Sequence, residues 1–428
     1  MRIGITSECP WVPSSFGKMV FNLSRGLKEE GFDVTVFCPT SPSPTLFSRR
    51  FFYVPDCDIK DLCVSTAVHT QGYTDFVNEK DLDVVIVFGT PYGNVEINAL
   101  SLCEKFDKPC VGYFVTESMR IPPYMSAWVE KVSFFATPTE AVRKIFIESL
   151  SRLGEEWMRN VSERSMRAVH GIDINLFTRE NCEKVCEYTT WGGKSSEYKN
   201  HVEKLRREGY MIISFLAKNN PRKDIYALLR AVKILLDEKI NVALFAMMID
   251  AVSSEVWRDL VSTAHLAGLT DEEINRILFM PDDISRSRGL TEYSVLKILC
   301  LSDIFAYPTQ GEAFGIPVVE AGAVGTAVAT TDIPVMREVL EEYDDQTFTR
   351  CHEDAYPPGY VLCNPYPEDL ARSLLYVYDH REKLEKKIVG ITRRYDYKRM
   401  TKEMIKAVEK GMELFRENRR NKWFETKR

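Results

Sequence analysis

Short apolar runs alternate with longer segments of helical period, and the alternation occurs twice along the chain. In the first part, Arg2–Glu8, Asp33–Cys38, Asp83–Gly89, Cys110–Thr116, Ser133–Thr137 and Arg167–Gly171 read as strands. Runs such as DVVIVFG and CVGYFVT are nearly continuous in Val, Ile and Phe, the pattern of strands buried on both faces of a parallel sheet. After the first strand, Ser14–Gly17 reads as a loop. Lys18–Gly31 then reads as a helix, with Val20, Leu23 and Leu27 on one face and Gly31 as its stop.

Polar residues fill Thr178–Gly209 and break this rhythm, so residues 181–208 read as an interdomain linker in which Ser195 or Ser196 caps a helix. Strands resume at Met211–Ala217, Asn241–Met248, Ile277–Met280, Ile304–Tyr307, Ala327–Thr330 and Tyr360–Cys363. Helices are predicted at Ile225–Asp237 and Thr291–Leu301, and the pattern is helical from Pro367 onward. The fold class is therefore α/β, with Rossmann-like units at 1–180 and 209–395. Ligands of open parallel sheets bind at the carboxyl ends of the strands, and two such units facing each other share a cleft as the default site.

Length agrees with this division, since 428 residues exceed one ordinary core. The formal net charge of −6 speaks against a dedicated nucleic-acid binder, and the charged tail Arg416–Arg428 reads as a solvated face. No apolar run approaches the ~18 residues of a membrane span, and Met1–Glu8 lacks a signal peptide's long apolar region, which predicts a cytoplasmic protein. Eleven cysteines without a C-x-x-C pair predict free thiols. The six histidines are widely spaced, which predicts no histidine metal site. Asn22-Leu23-Ser24 and Asn160-Val161-Ser162 read as chance matches to the glycosylation pattern. Walker, G-x-G-x-x-G, H-E-x-x-H and G-x-S-x-G motifs do not occur.

Candidate chemistry concentrates in two places. In Gly311–Gly322 (GEAFGIPVVEAG), two glutamates stand eight positions apart after a strand. Pro317 suits the first turn of a helix, which leaves Glu312 in the preceding loop and Glu320 about one turn in. Main-chain N–H groups near Phe314, Gly315 and Ile316 lack helical partners, and Gly315 admits a ligand close to the backbone. Carboxylates beside a helix start suit a hydroxyl-rich ligand such as a sugar or ribose; the alternative is a solvated Glu312 and a Glu320 that favours the helix dipole. In Lys218-Asn219-Asn220-Pro221-Arg222-Lys223, three cations cluster at a strand end of an acidic protein. They could hold a diphosphate and stabilise it as a leaving group, or form a basic surface turn. Read together, a diphosphate clamp and a hydroxyl-reading pair specify a nucleotide-diphosphate sugar.

These residues resemble glycosyltransferase family 4, the retaining GT-B glycosyltransferases also called glycosyl transferases group 1, over most of the chain. Phe215–Asp224 resembles the family's strand ending in Gly-Arg with a lysine a few residues on. Ser302–Gly315 (SDIFAYPTQGEAFG) and Glu320–Val328 resemble its Glu-x-Phe-Gly and Glu-Ala motifs, so that Glu312 and Glu320 form the Glu-seven-Glu pair. Val169–Phe177 resembles the segment that ends the family's N-terminal domain, and the helix from about Tyr397 resembles the one that completes that domain, here about 396–428.

The resemblance implies a GT-B fold with parallel sheets facing an interdomain cleft, and transfer of a hexosyl group from a nucleotide-sugar to an acceptor hydroxyl. Attack from the same face, with the leaving diphosphate taking the proton, would retain configuration without a metal. It implies catalytic roles for Glu312, Lys223 and Lys218, the last standing where an arginine is usual. Glu320 would hold the ribose; Ala313, Phe314, Gly315, Ile316, Arg222 and Gly17 would complete the donor site. Phe16, where a second glycine is common, and Glu117, where many relatives have histidine, would face the acceptor. Acceptors in the family include sugars, lipids and small molecules. Phe47–Pro55 and Arg120–Trp128 read either as acceptor-lining or as packed loops, and peripheral membrane contact through Arg143–Arg167 is a further expectation. A nucleotide-sugar epimerase on the same fold and a non-catalytic nucleotide-sugar-binding module are the rival readings.

Overall fold

The computed structural model describes residues 1–8, 10, 14–38, 63–66, 81–90, 100–101, 103–188, 195–249, 256–279, 292–357 and 359–425. The chain forms two units: Met1–Ile172 with Pro357–Tyr360 and Tyr395–Arg428, and Asp173–Tyr356 with Val361–Arg394.

In the first unit, strands β1 (Arg2–Thr6), β2 (Asp33–Cys38), β3 (Cys63–Thr66), β4 (Val84–Gly89), β5 (Cys110–Phe114), β6 (Phe134–Thr137) and β7 (Ser165–Arg167) form one sheet in the order β3-β2-β1-β4-β5-β6-β7. Its pairings are parallel. β4 and β5 are buried along their whole length, as their unbroken apolar runs require. Helices α1 (Ser15–Glu29), α2 (Ser126–Lys131), α3 (Glu140–Ser151) and α4 (Glu155–Glu163) follow. The C-terminal helix Tyr397–Glu425 packs on α1: the Tyr397 hydroxyl donates to Glu29 at 3.0 Å, and Arg25 lies over the Tyr397 ring. Gly171 meets this helix so closely that an added Cβ would stand 2.4 Å from the Tyr397 Cα. Asn22, in its apparent glycosylation pattern, is buried and donates to the Gly171 carbonyl at 2.9 Å.

β3 has no counterpart in the sequence expectation for this unit, and two boundaries differ from it by three residues or more. α1 starts at Ser15, because Ser14 caps it by accepting from the Gly17 N–H at 3.0 Å, so Phe16 and Gly17 stand in a helical turn and not a loop. The last strand lies at Ser165–Arg167, a few residues before the predicted Arg167–Gly171.

In the second unit, β8 (Met211–Lys218), β9 (Val242–Ile249), β10 (Leu278–Phe279), β11 (Ile304–Tyr307), β12 (Ala327–Thr331) and β13 (Phe348–Thr349) form a parallel sheet in the order β10-β9-β8-β11-β12-β13. Tyr360–Pro365 (β15) does not join it but pairs with β14 (Cys351–Tyr356) in a separate two-stranded sheet. The helices are α5 (Arg179–Tyr188), α6 (Ser195–Arg207), α7 (Ile225–Asp237), α8 (Val256–Leu266), α9 (Asp271–Ile277), α10 (Glu292–Leu301), α11 (Ile316–Ala323), α12 (Pro334–Val339), α13 (Pro367–Asp379) and α14 (Arg381–Thr392).

The stretch expected as a linker, 181–208, instead carries α5 and α6 of the second unit. Val202 and Leu205, one helical turn apart, pack with Ile212, Ala243, Phe245 and Leu301 in a buried cluster, which ties α6 to the sheet.

The free-thiol expectation is also corrected. Cys182 on α5 is bonded to Cys300 on α10, and Cys351 to Cys363 across β14 and β15, whereas Cys103 and Cys110 are buried free thiols. Digestion without reductant should yield both linked peptide pairs, and reduction should lower the unfolding free energy by about 2–4 kcal/mol for each bridge lost. Finding all four thiols open to alkylation in the freshly purified protein would overturn this assignment.

Candidate functional site

Two connections at the carboxyl end of the second sheet come together. β8 runs into Asn220, whose side chain accepts from the Arg222 N–H at 3.0 Å and starts a short 3-10 turn, Pro221–Lys223. Asp224 closes that turn in the left-handed region (φ 48°), which aspartate tolerates, and caps α7 through the Ala227 N–H at 3.0 Å. β11 runs into Pro308–Gly311, and Gln310 fastens this loop to the turn. Its N–H donates to the Arg222 carbonyl at 2.9 Å and its side-chain amide to Asp224 at 3.0 Å, while its carbonyl accepts from the Cys363 N–H at 2.7 Å. Burial pushes the Asp224 carboxyl up from the ordinary range, against the hydrogen bonds from Gln310 and Ala227.

Glu312 lies where these connections meet. One oxygen, Oε1, accepts from Arg222 Nη1 at 2.9 Å, from the Tyr307 hydroxyl at 2.9 Å, from Thr309 Oγ1 at 3.1 Å and from Lys223 Nζ. Arg222 also donates to the Gly311 carbonyl. Lys223 Nζ donates to the Tyr307 oxygen at 2.7 Å and lies 4.9 Å from the centre of that ring. The side chains of Arg222 and Lys223 are 12% exposed and that of Glu312 is 9% exposed. Burial alone would raise the Glu312 carboxyl, but the Lys223 and Arg222 cations outweigh it and hold the pKa at about 2.

The helix start falls where Pro317 places it, with α11 beginning at Ile316. Gly315 precedes it at φ 87°, left-handed backbone that strains any residue with a side chain, whereas the nearest atom to an added Cβ, Met336 Cε, is the movable end of a side chain. Among the described residues, nothing accepts a hydrogen bond from the Gly315 or Ile316 N–H. Ala313, Phe314 and Ile316 are buried, and Glu320 lies within α11 at 2% exposure. Lys218 ends β8 on its exposed tip, with no hydrogen bond or ion pair to Glu312. The structure thus brings Glu312, Lys223 and Arg222 together and leaves Lys218 outside the cluster.

In the first unit, Phe16 meets Phe88 edge-on at 5.2 Å, and the Gly17 N–H is engaged by Ser14, whose hydroxyl donates to Glu8. Glu117 is half-buried just beyond β5. His170 is buried, with Nδ1 2.7 Å from the Tyr113 hydroxyl. In Arg120–Trp128, Ile121, Met125 and Trp128 are core residues, while Tyr124 is exposed; Phe47–Pro55 lies outside the described residues. Tyr307, Thr309 and Gln310 escaped the sequence reading. Tyr307 gave one signal, as the polar-tipped end of the otherwise apolar strand IFAY.

A family profile described as glycosyl transferases group 1 matches residues 289–394, the segment that contains β11, Glu312 and Glu320. The phosphatidyl-myo-inositol mannosyltransferase of Mycolicibacterium smegmatis is 23% identical over 360 residues, covering 80% of this chain and 79% of the relative. Among solved structures, Anabaena HepE in complex with UDP and glucose superposes with a TM-score of 0.66 at 14% identity, over 96% of this chain and 99% of that one. A glycosyltransferase from Rickettsia africae superposes at 0.67 with 12% identity, over 96% and 98%. The fold is GT-B.

Proposed function

We propose, from the premise that this chain is a group 1 glycosyltransferase of GT-B fold, that it moves a hexosyl group from a nucleotide-diphosphate sugar to an acceptor hydroxyl with retention of configuration. The observation that carries this reading is the joining of Arg222 and Lys223 to Glu312 beside the Gly315 and Ile316 N–H groups. Lys223 and Lys218 would meet the diphosphate and offset the charge it gains on leaving, which makes electrostatic stabilisation the main catalytic effect without a metal. Glu320 would accept from the ribose hydroxyls. Glu312 and the main chain of Ala313–Ile316 would meet the transferred sugar.

In this reading the departing diphosphate takes the acceptor's proton, so no side-chain base is needed on the acceptor side. Gly17 is assigned to the donor phosphates, and Phe16 and Glu117 to the acceptor. The mannosyltransferase activity for which the mycobacterial relative is named supports a hexose such as mannose and an acceptor carried on a lipid. No described helix is long and apolar enough to cross a membrane. Peripheral contact would run through the α3–α4 elbow, where Leu153 and Met158 are 42% and 45% exposed between Arg152 and Arg159.

Incubation with a panel of labelled nucleotide sugars, with acceptors in solution or in anionic vesicles, tests this reading. Slow release of free sugar and nucleoside diphosphate, accelerated by one acceptor class, is the expected result. Interconversion of the sugar without release would indicate an epimerase. Binding without turnover of any donor would indicate a binding module.

A further inference from the structure

The Glu312 carboxylate is engaged on one side only. Oε1 collects donors from Arg222, Lys223, Tyr307 and Thr309, more than the roughly two acceptor directions of one oxygen. Among the described residues no donor reaches Oε2, although the side chain is only 9% exposed. A carboxylate held in this way has one oxygen committed to the protein and one left for a ligand.

Two of the four donors are cations and two are neutral hydroxyls. Cations attract a carboxylate from many directions, whereas a hydroxyl on a rigid side chain fixes one. Tyr307 is such a group. It ends β11 at 1% exposure, and its ring stacks on Phe305 with centres 5.7 Å apart. Its hydroxyl accepts from Lys223 at 2.7 Å while donating to Glu312 Oε1 at 2.9 Å, so it sits between cation and anion and fixes their relative place. Thr309 Oγ1 adds a shorter-range hold, shared with the Gly311 carbonyl at 3.0 Å.

We propose that Tyr307 is a positioning residue for glycosyl transfer: its hydroxyl, aided by that of Thr309, holds Glu312 in the rotamer that presents Oε2 to a hydroxyl of the transferred sugar. This rests on the reading of Glu312 as the sugar-facing carboxylate. The charged groups around Glu312 are Lys223 and Arg222 on the turn after β8. Asp224 on that turn is held by Gln310 and Ala227, and the second carboxylate of this sheet end, Glu320, is buried in α11. After burial and the two cations, the Lys223 and Tyr307 hydrogen bonds also act on the Glu312 carboxyl, both lowering its pKa. Removing the tyrosine hydroxyl therefore moves that pKa up.

Tyr307→Phe, made in the full chain, keeps the ring and its stacking. With the donor that the parent chain turns over, kcat should fall roughly ten- to thirtyfold with little change in KM, the scale of one lost hydrogen bond to a charged group. The acid limb of kcat/KM should move to higher pH. Tyr343→Phe is the control. It loses a buried hydroxyl that accepts from the Val328 N–H at 3.2 Å, and it should lower the melting temperature while leaving kcat and the acid limb unchanged. Parent-like kcat and acid limb in Tyr307→Phe would overturn the proposal.

A crystal structure of Tyr307→Phe decides the point without activity. Glu312 turned so that a cation takes Oε2 supports the proposal, and Glu312 unmoved overturns it. Should the parent chain turn over no nucleotide sugar, the functional reading fails, while the crystal structure still judges the positioning role.

Discussion

Glu312→Gln should lower kcat by about 10²- to 10³-fold, as loss of a group that meets the reacting sugar does, while a nucleoside diphosphate binds as tightly as before or more tightly. The two effects have one cause. In the parent chain the carboxylate neutralises Lys223 and Arg222, whose side chains are 12% exposed. Glutamine keeps the volume and one acceptor oxygen but removes the charge, so both cations face an incoming diphosphate at full strength. At an effective dielectric near 20, a unit charge about 4 Å away is worth about 4 kcal/mol before desolvation, enough to tighten binding measurably. Stability should move the other way. Removing the anion from a largely buried ion cluster costs about 3–5 kcal/mol, so kinetics and calorimetry must be run well below the lowered melting temperature. Parallel loss of diphosphate affinity and turnover would mean that Glu312 only holds the turn and loop together. Near-parent turnover would remove it from the site.

Much of this arrangement is legible in the sequence, and the parts that are not share physical reasons. VVIVFG and MIISFLA declare themselves because strands buried on both faces must be largely apolar. β14, CHEDAY, is exposed over nearly its whole length and is held by pairing and a disulfide, so hydropathy does not report it. β13 is two residues long, too short to show a period. The 181–208 stretch misled because its mean polarity hid a narrow stripe, Val202 and Leu205, which is all that α6 needs to cover one edge of a core. Cys182 and Cys300 lie 118 residues apart, and no spacing rule joins them.

Near the site, the helix start at Pro317 and the charged residues Glu312, Arg222 and Lys223 at the strand ends were legible, the first because proline suits a first turn and the others because charge stands out beside apolar strands. Tyr307 and Thr309 were not. Each also satisfies an ordinary role, one ending a strand and the other filling a turn, and only the packing of the turn after β8 against the loop after β11 gives their hydroxyls a shared target. The family resemblance is what implies a sugar-facing Glu312; its four donors on one oxygen emerge only from that packing.

Lys223→Met should show the opposite binding result to Glu312→Gln. Methionine keeps much of the stem's packing against Tyr307 but removes the cation, so nucleoside diphosphate affinity should fall together with kcat, the latter by about 10²- to 10³-fold if the charge stabilises the leaving group. The pH dependence follows from Glu312. Burial raises its carboxyl, and Lys223 is the leading influence that brings it down to about 2 from an ordinary 4.5. A depressed carboxyl contributes stability that is complete above pH 4.5 and is lost as pH falls through 2. Without Lys223 that contribution shrinks, the acid-side loss of stability becomes smaller, and the acid limb of kcat/KM moves to higher pH. Thermal unfolding and kinetics across the acid range measure both shifts. The double variant Lys223→Met/Glu312→Gln closes the cycle. Because it removes both members of one ion pair, it should be less destabilised than the sum of the single variants, by well over the roughly 0.5 kcal/mol scatter expected of independent sites. Simple additivity would mean that Lys223 and Glu312 are not partners in solution. The depression of the Glu312 carboxyl would then have to rest on Arg222.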